Sequence, residues 1–271
     1  MLTLASDFGS PYPAAMRGVV CREAETDPRL VDVAHDLPRQ DVRAAAFWMR
    51  FVLPEFPPAV HLAVVDPGVG TDRDALVVRA GDHVLVGPDN GSLLPPARAL
   101  AAATGDGDDD DWSALAVAVD DPDSATFHGR DVFAPTAATV HDAVAGEADD
   151  DWTATDERLR AALEWAPTDP VELTLPAPTV DGDVARGEVL VVDDFGNAIT
   201  NLPSEVLAGV DRVAVNGTEA PAVDTFAAVD PGERLVTVGS HGNVECDVNR
   251  GRGAAAFDLA AGDEVVLRPV E

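Results

Sequence analysis

The chain contains no lysine. Its 18 basic residues are all arginine, set against 49 acids, for a net charge of −31 over 271 residues. Binding to nucleic acid needs clustered Lys and Arg to displace counterions from phosphates. An anionic membrane surface makes the same demand, so neither is an expected partner. Cysteine is scarce as well. Cys21 and Cys246 lie far apart, with no spacing that suggests a metal site or a redox pair. They read as two buried thiols in a reducing cytoplasm. No apolar stretch approaches the ~18 residues of a membrane span. The start, Met1-Leu2-Thr3-Leu4-Ala5, meets an acid at Asp7 and does not resemble a signal peptide. The expected location is cytoplasmic. No internal repeat is visible.

The acids are dispersed, with local peaks at Asp106–Asp111 and Glu147–Asp151 that read as exposed loops. Dispersed acid without lysine fits a surface adapted to high salt, where screening shrinks to about 3 Å at 1 M. At low salt the same surface repels itself. A halophilic source is the expectation; the alternative is simply an acidic protein.

Hydrophobic content is 46%, enough for a soluble globule with a proper core. Short apolar runs at Leu2–Ala5, Leu30–Ala34, Val60–Val65, Ala75–Val78 and His83–Val86 read as strands. Val42–Val52, Leu93–Ala103 and Val132–Val144 carry helical apolar spacing. This alternation predicts an α/β layered domain over residues 1–168. Prolines at 167, 170, 176 and 178 mark a crossing. Beyond it, over 175–271, come Glu188–Val192, Arg212–Val215, Leu235–Val238, Val244–Val248 and Glu264–Leu267, punctuated by Gly and Asn turns. These predict a small C-terminal β-barrel or sandwich.

The most informative stretch is Asp66-Pro67-Gly68-Val69-Gly70-Thr71-Asp72-Arg73. A strand ends in an acid, a short loop with two glycines follows, and an arginine opens the next apolar run. Such a loop can set Asp66 beside Arg73, a pair able to hold and polarise water without a metal. It is equally compatible with a plain surface ion pair. His128, in Thr126-Phe127-His128-Gly129-Arg130-Asp131, is a third candidate, and Gly129 would admit close approach of a ligand. Asp7 ends the first strand, where ligands gather in open α/β sheets; a turn acid reads the same way. Gly87-Pro88-Asp89-Asn90-Gly91 reads as a turn. In the β part, Asp193, Phe195 and Asn197 combine an acid, an aromatic and an amide, but a β-turn explains them too. Ser240 and His241 sit in a loop able to bind a carboxylate, or in a hairpin turn. None of the histidines has metal-ligand spacing, so no metal is expected.

Together these runs resemble the S-adenosyl-L-methionine hydroxide adenosyltransferase family, related to the fluorinases and chlorinases. The resemblance spans almost the whole chain: Ser6–Gly9, Val31–Phe47, Val64–Arg73, Val86–Pro95, Thr126–Asp131, Val191–Asn201, Val238–Gly242 and Val248-Asn249. It implies an N-terminal α/β domain, a C-terminal β-barrel and a homotrimer with sites at subunit interfaces. It also implies hydrolysis of S-adenosylmethionine, as substrate and without a cofactor, to adenosine and methionine. Carried over, the family's catalytic set falls on Asp66, Arg73 and His128, and the ribose-binding acid on Asp7, next to Phe8. Contacts to adenine and methionine fall on Asp193, Phe195, Asn197 and Phe226, and the remaining ligand loop on Ser240, His241 and Asn249. Arg73 would stabilise charge on a water held by Asp66 and His128, one of which takes the proton. Halide-using relatives carry an aromatic where Asp66 stands and a serine where Gly129 stands, which favours water here. A non-catalytic S-adenosylmethionine or adenosine sensor is a further alternative; it would not need the three-residue set. Two departures from the family pattern stand out: the segment from Gly9 to Tyr12 is shortened, and His241 replaces an arginine of fluorinase relatives.

Overall fold

The computed structural model describes residues 1–71, 73–104, 111–117, 124–144 and 155–270. The acidic peak at 147–151, and all of the other except Asp111, lie outside the described residues. The chain divides into two compact units, Met1–Thr174 and Leu175–Glu271.

The first unit runs β1 (Leu2–Ser6), α1 (Tyr12–Glu23), β2 (Leu30–Ala34), α2 (Val42–Val52), β3 (Val60–Val64), β4 (Ala75–Ala80) and β5 (His83–Pro88). It continues with α3 (Leu94–Ala103), β6 (Trp112–Val117), α4 (Ala134–Val144), α5 (Thr155–Ala162) and β7 (Trp165–Pro167). The strands form one sheet in the order β2-β1-β3-β5-β4-β6-β7. The first four are parallel and the rest join antiparallel. β1 and β3 are buried along their whole length, as expected when helices cover both faces. Leu4, Leu62 and Val64 meet Met16 and Val20 of α1 and Val140 of α4 on one face. Ala63 and Leu85 meet Met49 of α2 and Leu100 of α3 on the other. The result is a three-layer α/β domain.

Helix α1 is absent from the sequence expectation, and prolines stand at 11 and 13, at its start. Proline is nevertheless compatible with a first helical turn, whose N–H groups have no intrahelical partner. The helix expected from Val132 begins earlier and differently: Gly129–Phe133 forms a single π-helical turn that feeds α4. The cysteine expectation needs correction. Cys246 is buried, but Cys21 is exposed on α1.

Inside the first sheet, Thr3 Oγ1 bonds His61 Nδ1 at 2.8 Å, and His61 Nε2 bonds His83 Nδ1 at 2.9 Å. All three residues are buried. Burial, with the neighbouring ring, lowers the His61 pKa to about 3; burial lowers that of His83 to about 4. A histidine with a depressed folded-state pKa loses stability as pH falls below its unfolded value, because the unfolded chain binds the proton more readily. His61 alone is expected to account for roughly 3 kcal/mol by pH 4. Urea titrations of the wild type and His61→Val in molar salt test this. The variant's deficit at pH 7.5 should shrink by that amount at pH 4, and a constant deficit would remove the assignment.

The second unit contains β8 (Thr179–Asp181), β9 (Val184–Val192), β10 (Ala198–Pro203), β11 (Arg212–Val215) and β12 (Thr218–Pro221). β13 (Arg234–Val238), β14 (Asn243–Val248), α6 (Gly253–Phe257) and β15 (Glu264–Pro269) follow. The sheet order is β12-β11-β15-β9-β10-β14-β13, and β8 pairs with β9. A bridge between Ala222 and Val236 links the two ends, giving a nearly closed barrel. Its interior holds Val189, Ala198, Leu202, Val213, Val236 and Val265. β10 is absent from the sequence expectation because Thr200, Asn201 and Pro203 interrupt its apolar residues.

Candidate active site

From β1 the chain moves outward to β2, then returns to add β3 on the other side of β1. The carboxyl ends of β1 and β3 thus form a switch point, the place where open α/β sheets bind ligands. Ser6 pairs with Val64 in register, so Asp7, one residue past Ser6, and Asp66, two past Val64, leave adjacent strands at the same end of the sheet. Asp7 is buried, and its Oδ2 accepts the Gln40 amide at 2.6 Å. Phe8 follows it and packs partly buried against the core.

The structure brings Asp66 and Arg73 together. Asp66 Oδ1 accepts from Arg73 Nη1 and, at 2.9 Å, from the Gly68 amide. The Asp66 side chain is 4% exposed and that of Arg73 26%, so the pair is far less solvated than a surface salt bridge. The guanidinium lies over Gly68, where any side chain would collide with it. Gly70 has φ +83°, and a Cβ there would lie 2.8 Å from Ala125 O. The loop is thus pressed against the segment that leads to His128.

His128 opens the π turn, which packs against β3 and β5. It lies within electrostatic reach of Asp131, whose carboxyl is held below its usual range chiefly by the Arg130 hydrogen bonds. Arg130 grips Asp131 with two bonds, 2.5 and 2.8 Å, and covers the Phe127 ring. Phe127 in turn makes edge contacts with Phe8 and Tyr12. A Cβ on Gly129 would lie 3.0 Å from Met16 Sδ and 3.1 Å from the rings of Phe127 and Phe8. Three sequence runs, ending β1, ending β3 and opening α4, therefore gather at one edge of the sheet.

The candidates of the second unit are placed as follows. Asp193 and Asn197 close the β9–β10 turn: Asp193 Oδ1 accepts the Asn197 amide at 2.8 Å and Oδ2 accepts Asn197 Nδ2 at 3.1 Å. Phe195, at the tip of that turn, is 78% exposed. Phe226 begins a short 3-10 turn and is also exposed. Ser240 and His241 form the β13–β14 hairpin, at the start of β14, whereas Asn249 follows its end. Ser240 is exposed. His241 Nε2 bonds Glu245 Oε1 at 2.7 Å, and Nδ1 accepts the Asn243 amide at 3.2 Å. Asn249 Nδ2 donates to Val229 O at 2.8 Å.

Glu245 and Asp247 lie on one face of β14, opposite Val244 and Cys246, which belong to the barrel core. Asp247 is fully buried and neither of its oxygens has a hydrogen bond of good geometry. The Glu245 carboxyl is close enough to act as acceptor for a proton held on Asp247. Burial, with the charges of Glu245 and Asp193, pushes the Asp247 carboxyl up to about 8. Nothing in the sequence singled out Asp247 or Glu245, since charged alternates in a strand are ordinarily solvent-facing. Asn90 reads in the sequence as part of a turn; its side chain reaches back 25 residues to Val65 O at 2.8 Å. Among the described residues, no group of three or more His, Cys, Asp or Glu is placed to hold a metal ion. No helix among them is long and apolar enough to cross a membrane.

A partly buried acid–arginine pair at a sheet switch point, followed by an antiparallel barrel, defines a class of two-domain α/β–β proteins. The chain belongs to the S-adenosyl-L-methionine hydroxide adenosyltransferase family: residues 2–148 match its N-terminal domain and residues 187–266 its C-terminal domain. A relative from Salinispora tropica, named (R)-S-adenosyl-L-methionine hydrolase, is 39% identical across 97% of this chain and 96% of its own. One of the same name from Thermus thermophilus is 39% identical, over 97% of both chains. Among solved structures, an uncharacterized conserved protein from Thermotoga maritima superposes with TM-score 0.79 at 30% identity, covering 99% of this chain and all of the other.

Proposed function

We propose that the chain hydrolyses S-adenosyl-L-methionine to adenosine and L-methionine. Water attacks carbon 5′ in line with the departing sulfur; the C–O bond forms, the C–S bond breaks with its electrons going to sulfur, and one proton is released. The partly buried Asp66–Arg73 pair carries this reading. Free water, with a pKa of about 15.7, is a poor nucleophile. Asp66 orients it, Arg73 stabilises the negative charge it develops, and Asp66 or His128 receives the proton. The sulfonium is a good leaving group, and charge is annihilated as oxygen meets it, which a dry pocket favours. Asp7 is the ribose acceptor. Asp193, Phe195, Asn197, Phe226, Ser240, His241 and Asn249 are assigned to the adenine and methionine ends. The relatives' name, (R)-S-adenosyl-L-methionine hydrolase, supports the R epimer at sulfur as the substrate.

Water is favoured over halide by two residues. Asp66 supplies an acceptor that can take a hydrogen bond from water but repels an anion. Gly129 is tightly surrounded: a Cβ there would lie 3.0 Å from Met16 Sδ and 3.1 Å from the rings of Phe127 and Phe8, so the serine of halide-using relatives would require these neighbours to shift. A halophilic, cytoplasmic homotrimer without a cofactor completes the reading; the dispersed acid and missing lysine support the first of these terms.

The test is incubation of the purified protein with resolved R and S epimers in molar KCl, with chromatography of products and light scattering for mass. Adenosine and methionine are expected in equal amounts from the R epimer, from a trimer that loses stability in low salt. Formation of 5′-chloroadenosine would overturn the choice of nucleophile. Ligand recovered unchanged would point to a sensor.

A further inference from the structure

The Asp66–Arg73 loop has glycine at two positions and is pinned within itself by the Asp66 bonds to Arg73 and Gly68 and by Thr71, whose amide and hydroxyl both bond Gly68 O, at 3.2 and 2.7 Å. Contacts from outside the loop fix where it starts and ends. The last paired residues of β3 and β5 are Leu62 and Val86. Beyond them β5 reaches Pro88, which has no N–H to give to β3. The turn after Pro88 supplies substitutes. Asn90 Nδ2 donates to Val65 O, the carbonyl immediately before Asp66, at 2.8 Å. The Asp89 amide donates to Asp74 O, the carbonyl immediately after Arg73, at 3.1 Å. Both flanks of the loop are thereby held by two consecutive residues.

That turn is itself braced. Asn90 Oδ1 accepts the Ser92 amide at 3.1 Å, which orients the side-chain amide toward Val65. Asp89 Oδ1 accepts the Val171 amide at 2.8 Å. Gly91, at φ +88°, lets the chain turn against Leu173, where a Cβ would come within 2.7 Å of Leu173 Cβ.

We infer that Asn90 is a positioning residue of the hydrolytic reaction, acting through its hydrogen bond to Val65 O to hold the Asp66 carboxylate and Arg73 at the switch point. This rests on the hydrolase reading given above. Asn90 is assigned no contact with substrate. Its effect is on geometry, and a displacement of about 1 Å in a reacting group can reduce turnover on the order of 10²-fold.

Asn90→Asp is the informative substitution, because it keeps the Oδ1 acceptor for Ser92 and replaces the donor to Val65 O with a charged oxygen that repels that carbonyl. Asn90→Ser, which retains a smaller cap for the turn, serves if the aspartate variant does not fold. Each is made in the wild-type chain and in an Arg73→Ala background. Three quantities are measured: kcat and KM for S-adenosylmethionine, the melting temperature, and NMR hydrogen exchange of the Gly68 amide, which donates to Asp66. The expected result is a kcat lower by about 10²-fold with KM changed less than about threefold. Gly68 exchange should be faster. In the Arg73→Ala background most of the further kcat loss should vanish, since residues acting through one group are non-additive. Equal losses in both backgrounds, or Gly68 exchange as slow as in the wild type, would overturn the inference. A wild-type chain that leaves both epimers intact while Gly68 exchange still responds to Asn90 would overturn the hydrolase reading and spare the clamp.

Discussion

Arg73→Ala is expected to lower kcat by about 10²–10³-fold, the loss associated with removing one donor aimed at charge that develops in a transition state. Affinity for substrate should hold. S-adenosylmethionine carries a sulfonium cation into a chain of net charge −31, so deleting a nearby positive charge cannot weaken Coulombic attraction. Arg73→Lys should recover only part of the activity. An ammonium keeps the charge but lacks the planar fork that lies over Gly68 while bonding Asp66. Product chromatography gives kcat and calorimetry gives the dissociation constant. A parallel collapse of both quantities would mean that Arg73 serves the fold or the ground-state complex, not the transition state.

Asp247→Asn is expected to stabilise the protein, increasingly so as pH rises. In the unfolded chain this carboxyl ionises near 3.8, whereas burial beside Glu245 and Asp193 pushes it up to about 8 in the folded chain. An acid with a raised folded-state pKa favours folding fully below its unfolded value, and that contribution is lost as pH climbs through the folded value. Between pH 4 and pH 8 the wild type should therefore lose stability relative to the variant by about 1.4 kcal/mol per pH unit, several kcal/mol in all. The asparagine amide also offers Glu245 a donor that does not depend on pH. Urea midpoints from pH 4 to pH 9, in molar salt to quiet the surface charge, measure the difference. Parallel pH profiles would show that Asp247 ionises freely in the folded state.

The parallel strands were legible because both faces of each are covered, leaving runs such as Val60–Val65 unbroken by polar residues except His61. α1 was not, since its first turn is written in prolines that also write turns. β6 was hidden next to an acidic run, and β10 behind its own polar residues. In the site, Asp66 and Arg73 could be paired from sequence because a seven-residue step across one loop leaves little freedom. The Asn90 bond to Val65 was illegible for the opposite reason: it depends on β5 lying beside β3, a fact of topology. Asp247 was illegible because alternation along β14 predicts that it faces water, and its burial comes from packing that periodicity does not encode.

The histidines inside the first sheet bear on how that sheet finds its alignment. β1 and β3 are apolar on both sides, so sliding one past the other by a residue would exchange one oily neighbour for another and meet little resistance from hydrophobicity. Thr3 and His61 are directly opposite in the observed pairing and share a hydrogen bond. A slip would strand both in the interior, at about 1–3 kcal/mol for each unsatisfied group. It would also carry Asp7 about 3.3 Å along relative to Asp66. A polar pair buried far from the reacting atoms thus acts as a vernier for the spacing of the two acids at the switch point.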